Sequence, residues 1–154
     1  MKHVEVKGRE IIGTRVYDAP RELVWKAWTD PKIISKWWGP NGFTTTTDKM
    51  ELKPNGIWKF TMHGPDGRNY KNKIIYIEVK KPERLVYRHS GDEETESVKF
   101  HVTVTFELDG NKTKMTMRAA FESVAELERV QKEYGAIEGM EQTIERLGEY
   151  LAKE

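Results

Sequence analysis

The chain has no cysteine. That removes thiol nucleophiles, cysteine–zinc sites and disulfides, and it fits a reducing compartment. Neither sign of charge is in excess: 26 Lys and Arg stand against 25 Asp and Glu, mixed along the sequence. Nucleic-acid binders gather a basic surplus on one face, so nucleic acid is not an expected partner. No run approaches the roughly eighteen apolar residues of a membrane-spanning helix. The opening Met1-Lys2-His3-Val4-Glu5-Val6-Lys7 is charged, without the apolar stretch of a signal peptide. A soluble, cytoplasmic protein is the expectation. Repeats, low-complexity tracts and linkers are also missing. The 154 residues therefore read as a single domain, 1–154, with residues 1–8 a frayed or edge segment.

Recognisable catalytic motifs are absent too. Gly64-Pro65-Asp66-Gly67 lacks the spacing and the following helix of a phosphate loop. There is no serine-hydrolase elbow and no zinc-protease motif. His3, His63, His89 and His101 lack the i, i+4 spacing of a helical metal pair, so no metal is expected. By strand parity His63 and His101 fall on polar faces. His89 is in phase with Leu85 and Tyr87; it is either an inward acid or base or a surface residue at a strand end. His89 and Ser90 point to opposite faces and do not form a nucleophile–base pair. Glu93, Glu94 and Glu96 read as a solvated loop rather than a cation site.

What the chain does have is tryptophan, five residues in all, with Trp25, Trp28, Trp37 and Trp38 inside one short stretch. Aromatics at that density build a core or line a pocket. Around them the elements can be read in order. Ile11 to Tyr17 is rich in β-branched residues and reads as a strand. Pro20 suits the first turn of a helix carrying Leu23, Val24, Trp25 and Trp28. Asp30-Pro31 starts a second short helix that ends at Gly39-Pro40. From Phe43 to Phe121 the period changes to two. Thr44–Leu52, Trp58–Met62, Tyr70–Val79, Leu85–Tyr87, Phe100–Leu108 and Met115–Phe121 give six strands with short turns, an antiparallel meander. Ser123-Val124-Ala125-Glu126 is a capping box that opens a helix, and Gly135 and Gly139 interrupt it. Ile137, Met140, Ile144, Leu147 and Leu151 then form one apolar stripe, with Glu141, Glu145, Arg146, Glu149 and Lys153 on the other side.

The fold class that follows is α+β: a curved antiparallel sheet wrapped around a long C-terminal helix, with two short helices after the first strand. Parity places Trp58, Phe60, Met62, Asn72, Ile74, Tyr76, Leu85, Tyr87, Phe100, Val102, Val104, Met115 and Met117 on the inner wall, and the helix adds Met140, Ile144 and Leu147. A bent sheet gripping one helix leaves a gap that large side chains or a ligand must fill. Each tryptophan is either core or a stacking surface, and Trp58 is the best cavity candidate. Asn72 and Tyr76 would either orient a ligand's oxygen or bond backbone and water.

Val16-Tyr17-Asp18-Ala19-Pro20, Val24-Trp25-Lys26-Ala27-Trp28-Thr29-Asp30-Pro31 and Trp37-Trp38-Gly39-Pro40 resemble the opening of the SRPBCC superfamily, in the branch of the activator of heat-shock protein 90 ATPase homologue. Pro82-Glu83-Arg84-Leu85-Val86-Tyr87, Val102-Thr103-Val104-Thr105-Phe106 and Gly135-Ala136-Ile137-Glu138-Gly139 extend the similarity to about residues 10–152. The resemblance implies the helix-grip fold of START domains and the birch-pollen allergen, with a deep apolar cavity between sheet and helix. Two positions depart from the pattern. Gly56-Ile57-Trp58 stands where many relatives have two glycines before the tryptophan. Gly139-Met140 stands where many have Gly-Trp, which changes the cavity's shape. The eukaryotic co-chaperone also carries a second domain, for which this length leaves no room.

The expected function is binding of a small apolar or aromatic molecule without metal or organic cofactor. The cavity residues would be drawn from Trp37, Trp58, Phe60, Met62, Asn72, Ile74, Tyr76, Tyr87, Phe100, Val102, Val104, Met140 and Ile144. A chaperone-interacting module, implied by the resemblance, is the alternative. A cavity enzyme of the cyclase or hydrolase type is the third reading, with Tyr76, Tyr87 and His89 as its ionisable candidates.

Overall fold

Strong alternation through the middle of the chain produces one antiparallel sheet. The computed structural model describes residues 2–89 and 100–153; the acidic run Asp92–Glu96 and Ser90 lie outside them. The elements run β1 (Val4–Lys7), β2 (Glu10–Tyr17), α1 (Arg21–Thr29), α2 (Pro31–Trp37), β3 (Thr44–Met50), β4 (Ile57–His63), β5 (Asn69–Lys80), β6 (Arg84–His89), β7 (Phe100–Asp109), β8 (Lys112–Phe121), α3 (Val124–Tyr134) and α4 (Ala136–Ala152). The strands lie in the order β1-β2-β8-β7-β6-β5-β4-β3. The sheet is thus a meander from β3 to β8, with the N-terminal hairpin folded back against its last strand. It curves without closing and grips α4, which is the helix-grip arrangement.

The local signals act where they stand. Asp30 Oδ1 accepts the Lys32 N–H at 2.9 Å and caps α2, with Pro31 in its first turn. Ser123 Oγ accepts the Glu126 N–H at 3.0 Å and caps α3. Asn55 takes φ 68° in the β3–β4 turn. Gly135 adopts the left-handed conformation that separates α3 from α4.

Two expectations need correction. Pro20 stands one residue before α1 rather than inside it. Gly139 does not interrupt a helix, because α4 runs through it to Ala152; only Gly135 has the positive φ that forces a break. Leu108 continues the β7 alternation but is 65 % exposed, since β7 overruns the core near the Asp109–Lys112 hairpin and Phe106 is its last buried member there. The helix faces hold a further surprise. Glu141, assigned to the solvent side of α4, is only 7 % exposed because β1 packs over that side.

The core fills the concave side of the sheet with Trp58, Phe60, Ile74, Tyr76, Leu85, Tyr87, Val102, Val104, Phe106, Met115 and Met117, and α4 lays Ile144, Leu147 and Leu151 on it. Side chains of α4 press closely on β2 at Gly13. A Cβ on Gly13 would stand 2.5 Å from Ile144 Cδ1 and 2.9 Å from Met140 Sδ. Gly13→Val should therefore force Ile144 and Met140 to repack and cost about 1–3 kcal/mol, read as a lower urea midpoint at unchanged m-value.

Candidate functional site

The two ends of the concave face are filled differently. At the β3–β5 end, the Asp30-capped turn sends α2 across the sheet, and Trp38 leaves the helix in extended conformation. It thereby enters a nest of edge-to-face rings, with Trp28 at 5.4 Å, Trp37 at 5.7 Å, Trp58 at 5.1 Å and Phe60 at 6.1 Å. Trp58 stacks on Phe60 at 4.0 Å. Trp58 Nε1 donates to Thr47 Oγ1 and Trp37 Nε1 to the Ala27 carbonyl. Only about 10 Å³ remains open between Trp28, Trp58, Ile74, Tyr76 and Tyr87, less than a water needs with margin.

At the other end the packing leaves space. A chamber of about 190 Å³ lies under α4, walled by Ile11, Trp38, Tyr87, Val102, Met140 and Phe121 among others. Outside it, a groove of about 500 Å³ runs between Pro40, Phe43, Met62, Tyr70 and Asn72 on one side and Val130 and Tyr134 of α3 on the other. His89, Phe100 and Ala136 belong to the walls of both. His89 stacks on Phe100 at 4.9 Å, with ring planes 8° apart. Its Nε2 lies 2.9 Å from Asn72 Oδ1, and Asn72 Nδ2 donates to the Tyr70 carbonyl. With the amide nitrogen committed as donor, the amide oxygen accepts, so His89 carries its proton on Nε2 toward Asn72.

The candidate residues read from the sequence are divided by this geometry. Tyr87, Phe100, Val102 and Met140 line the chamber, and Met62, Asn72 and Phe100 line the groove. Trp58, Ile74 and Tyr76 surround the closed end. Trp37, Phe60, Val104 and Ile144 are buried in the core. Trp38, rather than its neighbour Trp37, meets the chamber, because α2 ends between them. Ile11, Ala119, Phe121, Ala136 and Thr143 were not singled out from sequence. Strand parity with Met115 and Met117 carried the signal for Ala119 and Phe121. Ala136 depends on where Gly135 turns the chain.

The family described as activator of Hsp90 ATPase homolog 1-like protein matches residues 18–152. A solution structure of a protein from Arthrobacter aurescens is similar over 98 % of this chain and 91 % of its own, with 27 % identity and a TM-score of 0.91. A crystal structure from Mycobacterium smegmatis is 25 % identical, with 96 % and 94 % coverage and a TM-score of 0.86. A Rhodobacter sphaeroides protein at 22 % identity shares the fold across 99 % of both chains, with a TM-score of 0.84. No curated protein matches.

The ionisable groups around the inner face are mostly phenols. Burial pushes the Tyr17, Tyr76 and Tyr87 hydroxyls well above their ordinary value of 10.0, and Tyr76 adds to the effect on Tyr87. They are therefore neutral donors at physiological pH. Tyr17 spends its proton on the Ile144 carbonyl at 2.8 Å. Because the folded-state values are raised, the stability linked to these groups is whole below pH 10 and falls as pH rises above it. In an alkaline titration followed at 295 nm, these three phenols should ionise only together with unfolding, not as separate earlier steps.

Proposed function

Since this chain belongs to the family of activator of Hsp90 ATPase homolog 1-like proteins, we propose that it binds a small apolar or aromatic molecule in the chamber under α4. The groove between α3 and β4–β5 would take the remainder of that molecule. The observation that carries this reading is the shared wall of His89, Phe100 and Ala136, which sets the two hollows end to end. Together they reach the size range of ligand pockets, about 300–1,000 Å³. The chamber alone compares with a dry engineered cavity of about 150 Å³ that accepts one benzene ring. Affinity would come from apolar burial at about 25 cal/mol per Å². Trp38, Tyr87, His89 and Thr143 carry the polar atoms of the chamber wall, Asn72, Lys71 and Glu133 add polar groups along the groove, and Thr143 already donates to the Gly139 carbonyl.

Proton transfer finds less support. Tyr87 is held neutral by burial, which suits a hydrogen-bond donor rather than a base. Contact with a chaperone rests on the family's description alone.

The test is a titration of the purified chain with N-phenylnaphthylamine. Saturable quenching of tryptophan emission through Trp38, together with a rise in Tm, is expected. Met140→Phe fills the chamber and should weaken binding about tenfold or more, a loss of at least about 1.4 kcal/mol. If saturating probe neither quenches nor stabilises the wild-type chain, the receptor reading fails.

A further inference from the structure

Three side chains that do not line the chamber converge where the N-terminal hairpin crosses α4. Glu141 and Glu145 are one helical turn apart, and His3 comes from the residue before β1. One ligand-type atom from each lies within 4.8 Å of the others. Glu141 Oε1 accepts the His3 backbone N–H at 2.7 Å, which fixes the carboxylate. Its second oxygen, Oε2, is buried without a hydrogen-bond partner and stands 3.9 Å from His3 Nε2. A buried carboxylate oxygen in that condition is costly unless a cation meets it. Among the described residues, no lysine or arginine pairs with Glu141. Arg15 of the neighbouring β2 lies over the Tyr17 ring at 5.0 Å and donates to the Ile144 carbonyl at 3.4 Å.

Two carboxylates at i, i+4 repel each other unless a positive charge lies between them. His3 as an imidazolium would meet part of that need, but at 3.9 Å it makes no hydrogen bond to Oε2 and leaves Glu145 unanswered. We propose that His3, Glu141 and Glu145 bind a divalent transition cation of the zinc class, tying the N-terminal edge strand to α4. An imidazole with two carboxylates suits such an ion rather than magnesium or calcium, which prefer oxygen alone. Bonds of about 2.1 Å to a tetrahedral zinc put ligands roughly 3.4 Å apart, a small rotamer adjustment from the distances seen. Glu145 is exposed, so solvent can complete the coordination. No sequence spacing signals the site, because its first and second ligands are 138 residues apart.

The experiment uses the full chain without a histidine tag, stripped with chelator and then titrated with zinc chloride. At a hundredfold excess over Kd, Tm should rise by about 5 °C or more. Magnesium or calcium at the same concentration should leave Tm unchanged. E145Q alters an exposed side chain and leaves the fold intact, and with H3Q it should reduce zinc affinity at least about 10–100-fold, as even outer-shell losses do. E141Q is the less decisive variant, since it also changes a buried group. Lack of any zinc response in the wild type overturns the site. So does an undiminished response in both H3Q and E145Q, which would place the ion elsewhere. A Tm lowered by H3Q to the same extent with and without zinc reduces the cluster to an imidazolium–carboxylate pair and equally overturns it.

Discussion

Helix α4 lies across an open, curved sheet, and the position of that one helix determines what the rest of the structure can do. Apolar burial of Ile144, Leu147 and Leu151 supplies attraction but no direction. Direction comes from polar contacts at fixed points. The Tyr17 hydroxyl donates to the Ile144 carbonyl at 2.8 Å, a bond inside the core. Arg146 Nη1 lies within 3.2 Å of the Trp38, Gly39 and Pro40 carbonyls and so ties the loop after α2 to the helix. Burial lowers the Arg146 pKa, the expected sign for a guanidinium drawn partly out of water. Gly13 gives Ile144 and Met140 room against β2, and His3 meets Glu141 beyond it. Sliding the helix by a turn would break all of these contacts together.

That placement explains why the free volume collects at one end. Around β3–β5 the gap is filled by indoles whose edges meet faces, the arrangement favoured by the ring quadrupole. The Arg146 contacts hold Trp38 and its loop in that nest. Toward α3 the wall keeps large rings, Trp38, Tyr87, Phe100 and Phe121, but Ala119, Ala136 and Thr143 interrupt them and space remains between. Gly135, by turning the chain, sets α3 aside from the axis of α4 and opens the groove. The same constraint therefore closes one half of the concave face and spares the other.

Much of this architecture was legible in the sequence, because alternation and helical stripes are local. Trp58, Phe60 and Ile74 are inward for the same reason that Lys59 and Lys73 are not. Helix starts at Asp30 and Ser123 were legible from cap chemistry alone. The site was less so. Whether Trp37 or Trp38 meets the chamber turns on a single residue's exit from α2, where a helical pattern cannot discriminate. Gly139 shows the converse limit: a glycine in a helical stretch signals a break only if its φ must be positive, and φ is not written in composition. Glu141 was assigned to the wet face by its stripe, correctly for an isolated helix. Only the return of β1 over that face, from the far end of the chain, buries it.

The two hollows also differ from the His3–Glu141–Glu145 cluster in what they can discriminate. An apolar chamber separates ligands by shape, and each methylene too many or too few changes binding by only about 1–3 kcal/mol. Sharp selectivity at such a site has to come from its few polar atoms. Here the most constrained is His89, flat against Phe100 and oriented by Asn72, at the boundary of chamber and groove. A molecule spanning both spaces passes this ring whatever its chemistry. Because Asn72 on β5 and Phe100 on β7 both meet His89, substitutions at Asn72 would act on ligand preference through the imidazole as well as by direct contact. For the proposed ligand, the chamber wall would set how much apolar surface is covered, and the β5–β6–β7 register would set which polar group crosses the boundary.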